Sequence, residues 1–566
     1  NSTSNNANDP YYFLPNSDEQ AWNEFSIFGG SDRFYNTSTA VSDEIRFDFT
    51  SQLTNQLKIR TGADYKKHKL NFYEVLNPWS TDAQIQIFGE YWEDFGVDQI
   101  GELDAGYVAP DKGEYNGKYD EGEKFSDFNN NGEWDDFVEP IEFAGYFQGS
   151  YELPWMVVNA GIRADGVHYN TKVYADPDGE LSPGSPYFYI DCGIDAICPS
   201  DDNYIAPDSD GTEDNDVWDS GEVTTQAFGV SSKQKPIFTD AKWLFKYSPR
   251  LGFSHVITDQ ATFTFNYGLY YQTPTYNSIF LNMNKLPDIA NTADDLTGLG
   301  NATMTASRTQ AYEFGFNVQV GRNWAYSVMG WVKDMDQLVT TRQNRMGSSS
   351  HSIMSNGDFG RANGIDLTLE NRGMLVNTMI QYTLSQAKAN SEYSTASLGN
   401  EVREAPLQEF TMPFDRTHNL IATFYTFLPF GINTALTYSI QSGAPYTPMI
   451  EVKGGTDYQT DPKNKYYRRM DYSQNTSLAF SKHLKLGKTK ISLGLDVYNL
   501  FDIRNQIGVW PITGEADNPG EHYTENIGLP YLVPKPELSK PSSYYDQPWY
   551  FSSPREINFF VRFDFN

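Results

Sequence analysis

Residues 555–566 read Arg-Glu-Ile-Asn-Phe-Phe-Val-Arg-Phe-Asp-Phe-Asn, and their alternation constrains the fold more than any other feature of the chain. One parity holds Ile557, Phe559, Val561, Phe563 and Phe565; the other holds Asn558, Phe560, Arg562, Asp564 and Asn566. Successive side chains of a strand point to opposite faces, so the segment has one apolar face and one mostly polar face. In a water-soluble sandwich the apolar face would meet a second sheet. Copies of the pattern decide between that arrangement and a face turned to lipid. In the clearest copy, Ala261, Phe263, Phe265, Tyr267, Leu269 and Tyr271 alternate with Thr262, Thr264, Asn266, Gly268, Tyr270 and Gln272. Others are Leu57, Ile59, Thr61, Ala63 and Tyr65, then Val158, Ala160, Ile162 and Ala164, then Ile365, Leu367 and Leu369.

The links between copies alternate in length. Tight turns fall near Leu153-Pro154, Thr258-Asp259-Gln260, Gly321-Arg322-Asn323, Arg372-Gly373, Leu428-Pro429-Phe430-Gly431 and Leu486-Gly487-Lys488, and a long connection separates each hairpin from the next. Strands are expected near 307–320 and 324–338, then near 360–371 and 375–388, with a long connection between the two pairs. A meander with every long loop at one end and every tight turn at the other has the layout of an outer-membrane barrel. The expectation is therefore an all-β fold, a transmembrane antiparallel β-barrel with long extracellular loops, short periplasmic turns and the C-terminus on the periplasmic side. Residues 1–41 read as an irregular extracellular segment, and 42–566 as a partial barrel with acidic loop insertions at 70–138 and 173–238. About fifteen strands are counted, and an odd number starts and ends a chain on opposite sides of the membrane. An open sheet edge in lipid leaves backbone groups unsatisfied, so the barrel is expected to be completed by upstream polypeptide or by another chain.

Composition agrees. No apolar run is long enough for a membrane helix and mean hydropathy is -0.56, values a barrel also gives because only alternate residues meet lipid. Aromatics make up 15% of the chain, and interfacial girdles are one place to put them. The net charge of -32 argues against nucleic acid as a partner. Cys192 and Cys198 are the only cysteines, too close together and too few for most zinc frameworks; a small disulfide loop in an oxidising compartment is expected, with two free thiols as the alternative. No signal peptide is visible, which for an exported protein means a processed or incomplete N-terminus.

Several segments resemble the barrel of a TonB-dependent outer-membrane receptor. They are residues 159–165 (Asn-Ala-Gly-Ile-Arg-Ala-Asp), 247–254 (Tyr-Ser-Pro-Arg-Leu-Gly-Phe-Ser), 364–370, Asp415-Arg416-Thr417-His418-Asn419, residues 442–448 (Ser-Gly-Ala-Pro-Tyr-Thr-Pro), residues 495–502 and the terminal aromatic strand. The resemblance covers residues 42–566. It implies a barrel of about 22 strands around an N-terminal plug, of which this chain would supply the C-terminal two-thirds. It also implies outer-membrane lipid as surroundings, a TonB-type energy-coupling protein as partner through a plug, and uptake of a scarce solute such as a siderophore, corrinoid, glycan or peptide. No plug or TonB-contacting segment is recognisable, and the chain ends in Asn566 where the family usually ends on the aromatic.

The two acidic insertions share a short repeat with the oxygen spacing of EF-hand-like calcium loops. Asp127, Asn129 and Asn131 stand at positions 1, 3 and 5 with Gly132 at 6 and Asp135 at 9; Val138 occupies position 12 and Glu139 comes one late. In the copy before it, Glu114, Asn116, Asp120 and Glu123 take positions 3, 5, 9 and 12. The third copy offers Asp208, Asp210, Asp214, Asp219 and Glu222. Calcium bracing the extracellular loops is the expectation, against a merely solvated acidic surface. No HExxH, phosphate loop or G-x-S-x-G elbow is present, and no enzyme is expected. Trp510, Tyr544, Tyr545 and Trp549 in the last loop could stack on a ligand, or pack within the loop or at the membrane interface. Two other functions compete with uptake: a docking barrel whose calcium-braced loops hold a surface protein or lipoprotein, and a passive diffusion channel.

Overall fold

The computed structural model describes residues 34–565 apart from 77–83, 97, 99–106, 109–111, 115–117, 183–185, 199–202, 208–210, 214, 216, 227–233, 288–297, 347–348, 391–408, 452–457, 461–463, 488 and 521–547. Fifteen long strands form the main sheet. In chain order they are β1 (Phe34–Gln52), β2 (Leu57–Leu76), β3 (Ile141–Leu153), β4 (Met156–His168), β5 (Leu244–Thr258), β6 (Ala261–Gln272), β7 (Ser307–Val320), β8 (Trp324–Met346), β9 (Ser349–Arg372), β10 (Val376–Ala389), β11 (His418–Leu428), β12 (Ile432–Gln441), β13 (Ser473–Leu486), β14 (Thr489–Tyr498) and β15 (Glu556–Phe565). Each pairs antiparallel with the next, so the sheet is an uninterrupted meander. Among the described residues the outer edges of β1 and β15 carry no strand.

Side-chain parity separates the two faces. On β8, Trp324, Tyr326 and Val328 point outward and are exposed; they face Val320, Val318 and Phe316 of β7 and Asn371, Leu369 and Leu367 of β9. Phe314 is 51% exposed and Leu367 40%, although both lie in the middle of the sheet. Rings interlock along this face: Phe253 with Phe265 (5.4 Å between centroids), Phe263 with Phe316 (5.0 Å) and Tyr267 with Tyr312 (5.1 Å). Above Val332 the same parity turns charged, at Asp334 and Asp336, which pair with Arg361 and Arg308. From Trp324 to Val332 the strand climbs by eight steps of about 3.4 Å; at a tilt of about 40° that is roughly 20 Å, close to the apolar band of an outer-membrane barrel. The inward face is polar. Trp331 Nε1 donates to Asp366 Oδ2 (3.0 Å) and Thr383 Oγ1 to Asp366 Oδ1 (2.7 Å), while Arg163 pairs with Asp64 (3.6 Å). Near the tight turns this face forms an open cavity of about 380 Å³ lined by residues such as Thr262, Asn317, Ser327 and Thr368.

Glycine matters where backbones turn or rings press close. Gly321 sits in the β7–β8 turn at φ 63°, a left-handed conformation costly to other residues. Gly494 on β14 lies beneath the Phe560 ring, and a Cβ there would come within 2.0 Å of it.

Three sequence boundaries are corrected. Residues 34–41 are the start of β1, not irregular loop, because they pair residue for residue with β2 up to Phe34↔Leu76. The first insertion accordingly begins after Leu76; Leu70 and Phe72, on the inward parity, join the apolar core of the loops. The long connection expected between 338 and 360 is instead a continuation of β8 and β9 to Met346 and Ser349. A bulge at Met335–Leu338, with Gln337 at φ 56°, shifts the register where the hairpin rises beyond the apolar band.

Candidate functional site in the long-loop body

The first three insertions that leave the long-loop end pack into one body. Leu70, Phe88, Phe128, Tyr169, Val173, Tyr174, Phe280, Leu299, Met304 and Ile353 belong to a single apolar cluster, which therefore draws on the first three insertions and the tall β8–β9 hairpin. A short helix, α1 (Tyr276–Phe280), buries Ile279 and Phe280 in it. Buried hydroxyls and amides close on backbone: Tyr169 Oη on Met304 O (3.1 Å), Tyr174 Oη on Leu286 O (3.0 Å) and Asn301 Nδ2 on Met354 O (2.8 Å). Tyr276 Oη donates to Glu142 Oε1 on the inward face of β3 (2.6 Å), tying the body to the barrel wall. Desolvation raises the proton affinity of Tyr169 and Tyr276 well above the ordinary tyrosine range.

Within the first insertion the Asp127 loop closes on protein groups. Asp127 Oδ1 and Oδ2 accept the amides of Asn131 (3.2 Å) and Gly132 (2.8 Å). The side-chain amides of Asn129 and Asn131 both donate to Asp135 Oδ2 at 2.6 Å. Asn129 Oδ1 takes the Asn131 amide and Asn131 Oδ1 the Glu133 amide, which fixes both orientations. The carboxylate that organises this loop is Glu90, outside any motif read from the sequence. It is 4% exposed and receives Phe128 N (2.7 Å) on one oxygen and Asp135 N (3.1 Å) on the other. Burial pushes its pKa up to about 7 against the lowering effect of those two amides. Glu139 turns away from the loop to pair with Lys67 (2.8 Å). Among the other expected ligands, Glu114 and Asp120 are half-buried and Glu123 buried, and Asn116 lies outside the described residues.

In the second insertion Cys192 and Cys198 are joined in a disulfide. Glu222 is buried and Asp219 half-buried; Asp208, Asp210 and Asp214 lie outside the described residues. Among the described residues, no three His, Cys, Asp or Glu side chains already stand together as a metal-binding group. In the last insertion Trp510 packs edge-on against Tyr550 (5.9 Å), next to the exposed Trp549. Tyr544 and Tyr545 lie outside the described residues.

The segments 415–419 and 442–448 stitch loops to barrel. Asp415, 2% exposed, accepts Ala387 N from β10 (2.6 Å) and the Arg469 guanidinium. His418 N donates to Ser442 Oγ (3.0 Å), and Tyr382 Oη meets His418 Nδ1 (2.8 Å).

A family profile described as TonB dependent receptor-like, beta-barrel, matches residues 1–500, and the chain belongs to that family. Its members are outer-membrane β-barrels that work as receptors and transporters and are not enzymes. Among solved structures the chain is similar to the copper transporter OprC (12% identity, TM-score 0.45, covering 94% of this chain and 57% of that one). It is also similar to the FrpB iron transporter from Neisseria meningitidis (12%, 0.44, 83% and 52%) and to the ferric citrate transporter FecA in its unliganded form (10%, 0.42, 86% and 53%). The chain thus spans about half the length of these structures. No curated protein matches the sequence.

Proposed function

We propose that this chain is the barrel portion of an outer-membrane receptor that takes up a scarce solute from outside the cell. Passage is gated by a plug and driven by a TonB-type protein from the periplasm. The long-loop end faces outward and the tight turns face the periplasm. The observation that carries the reading is the sidedness of the sheet. The large insertions leave one rim, where the first three pack with the tall β8–β9 hairpin into one body, while below them the wall is polar inside and apolar outside. A fused cap over a hydrogen-bonding lumen suits selective capture better than free diffusion.

The test is growth of a strain lacking the protein on a panel of limiting metal chelates, corrinoids, glycans and peptides, beside a strain lacking the energy-coupling protein. One nutrient lost in both strains is the expected result. Growth of the first strain equal to wild type on the whole panel would overturn uptake in favour of a docking barrel. A nutrient lost only in the first strain would overturn energy coupling in favour of a passive channel.

A further inference from the structure

The tight turns are not alike. Several have polar tips: Thr54-Asn55-Gln56, Thr258-Asp259-Gln260 and Gly321-Arg322-Asn323. Trp155, in the β3–β4 turn, rests edge-on against His255 (5.6 Å between centroids). The β9–β10 and β11–β12 turns instead present Met374, Leu375 and Phe430, which are 95%, 68% and 87% exposed. These two turns lie side by side, since Phe427 N donates to Leu375 O at 3.0 Å. Turn chemistry does not account for Phe430. It stands at φ 67°, followed by Gly431 at φ 71°, a left-handed pair that Asn, Asp or Gly adopts far more readily than a bulky aromatic. Packing within the chain does not account for it either, because almost all of its surface is open. An exposed apolar patch that the fold neither requires nor covers calls for a partner outside the chain.

Continuity and charge say which partner. The parity that faces outward at Leu367 passes to Tyr382, Leu420 and Ile440 on the next three strands. On that parity Val376, Leu428 and Ile432 carry the apolar outer surface down to the turns, with no charged residue in between. The patch is thus an extension of the face that meets hydrocarbon. The charge comes from β13, where Lys482 shares the outward parity, lies opposite Ile432 and sits between Phe480 and Leu484 along its strand. Among the described residues it has no carboxylate partner. A lysine on a lipid-facing surface keeps its stem in hydrocarbon and carries its ammonium to the interface, where phospholipid phosphates accept it.

We propose that the β9–β10 and β11–β12 turns are embedded in the periplasmic leaflet of the outer membrane. Met374, Leu375 and Phe430 lie among the glycerol backbones and upper acyl chains, and Lys482 holds a phospholipid phosphate. The turns at 258–260 and 321–323 stay in water. Two hairpins anchored in this way fix the depth of their sector of the wall in the bilayer. This inference rests on the orientation proposed above, with the outer face in lipid and the tight turns toward the periplasm.

The test uses full-length protein carrying Cys192→Ser and Cys198→Ser, reconstituted in bilayers that contain phosphatidylglycerol. A nitroxide is attached in turn at Met374→Cys, Phe430→Cys, Gln260→Cys and Val328→Cys, and its accessibility to oxygen and to a water-soluble nickel chelate is read. Labels at 374 and 430 should favour oxygen as the label at 328 does, and the label at 260 should favour the chelate. If 328 favours oxygen while 374 and 430 behave like 260, the turns are in water and this inference alone is overturned. If 328 itself fails to favour oxygen, the barrel reading falls and the inference with it. Labels at 374 and 430 shielded from both relaxants would mean that a second copy of the chain covers the patch, which also overturns it. The phosphate contact has its own reading in native mass spectrometry. Lys482→Gln should retain phosphatidylglycerol about fivefold less well than wild type, the effect of one lysine near an anionic surface. Equal retention would overturn that contact.

Discussion

Glu90 shows how much structure one carboxylate can hold in this protein. Its two oxygens take the amides at both ends of the Asp127 loop, so replacing it by leucine leaves two buried donors unpaired, at about 1–3 kcal/mol each. Glu90→Leu should make residues 88–137 sensitive to protease while the barrel keeps its resistance to SDS, measured by timed digestion beside heat-modifiability. Asp415 is a stitch of another kind. Removing it unpairs Arg469, which is exposed and can hydrate, and leaves the β10 amide without its acceptor, a loss of about 1–3 kcal/mol. Asp415→Ala should therefore lower the denaturant midpoint of the whole barrel, read by tryptophan fluorescence. Breaking the Cys192–Cys198 bridge, which closes a short loop, should cost only about 2 kcal/mol and act locally, raising cleavage near 188–225 without moving that midpoint. At this scale the sequence was half legible. Spacing singled out Asp127, Asn129, Asn131 and Asp135, which do gather in one loop, and the cysteine pair. Glu90 stayed hidden because its partners are backbone amides about 40 residues away, and backbone amides leave no mark in a sequence.

Strands were easier to read because a sheet in lipid leaves its physics in the alternation. Val328 and Ser327 are neighbours with opposite fates: the first faces outward among Phe316 and Leu367, the second inward toward the polar cavity. Val328→Arg should destabilise the folded barrel by about 2–4 kcal/mol, or block its assembly in vesicles, while Ser327→Arg should fold like wild type. Equal effects would mean that the two faces are alike. Legibility failed where the strands leave the membrane. Residues 339–346, Val-Thr-Thr-Arg-Gln-Asn-Arg-Met, show no apolar alternation because the hairpin has risen beyond the apolar band, yet the β8–β9 ladder continues through them. The opening of β1 was missed for the same reason: Asn36, Thr37, Ser38 and Thr39 are polar on both parities and are held by pairing with β2 alone. Hydrophobic pattern marks where a strand touches hydrocarbon; hydrogen bonding sets where it ends.

Across the whole molecule, two regions divide the work of stability. Below the rim, a continuous ladder joins the fifteen strands in chain order and presents aromatics outward. Above it, insertions far apart in sequence share one apolar core built on Tyr169, Phe280, Met304 and Ile353. The alternation of short and long links revealed the first region; the second depends on contacts between separate insertions, for which no local pattern exists. The account rests on the outer face of the meander meeting lipid. Its most direct test is a nitroxide scan from Trp324 to Met335 on β8, in full-length protein carrying Cys192→Ser and Cys198→Ser and reconstituted in bilayers, reading accessibility to oxygen and to a water-soluble nickel chelate. Even positions from Trp324 to Val332 should favour oxygen and odd positions the chelate, with a period of two. Uniform accessibility, or even positions shielded from both relaxants as in a protein core, would contradict the account.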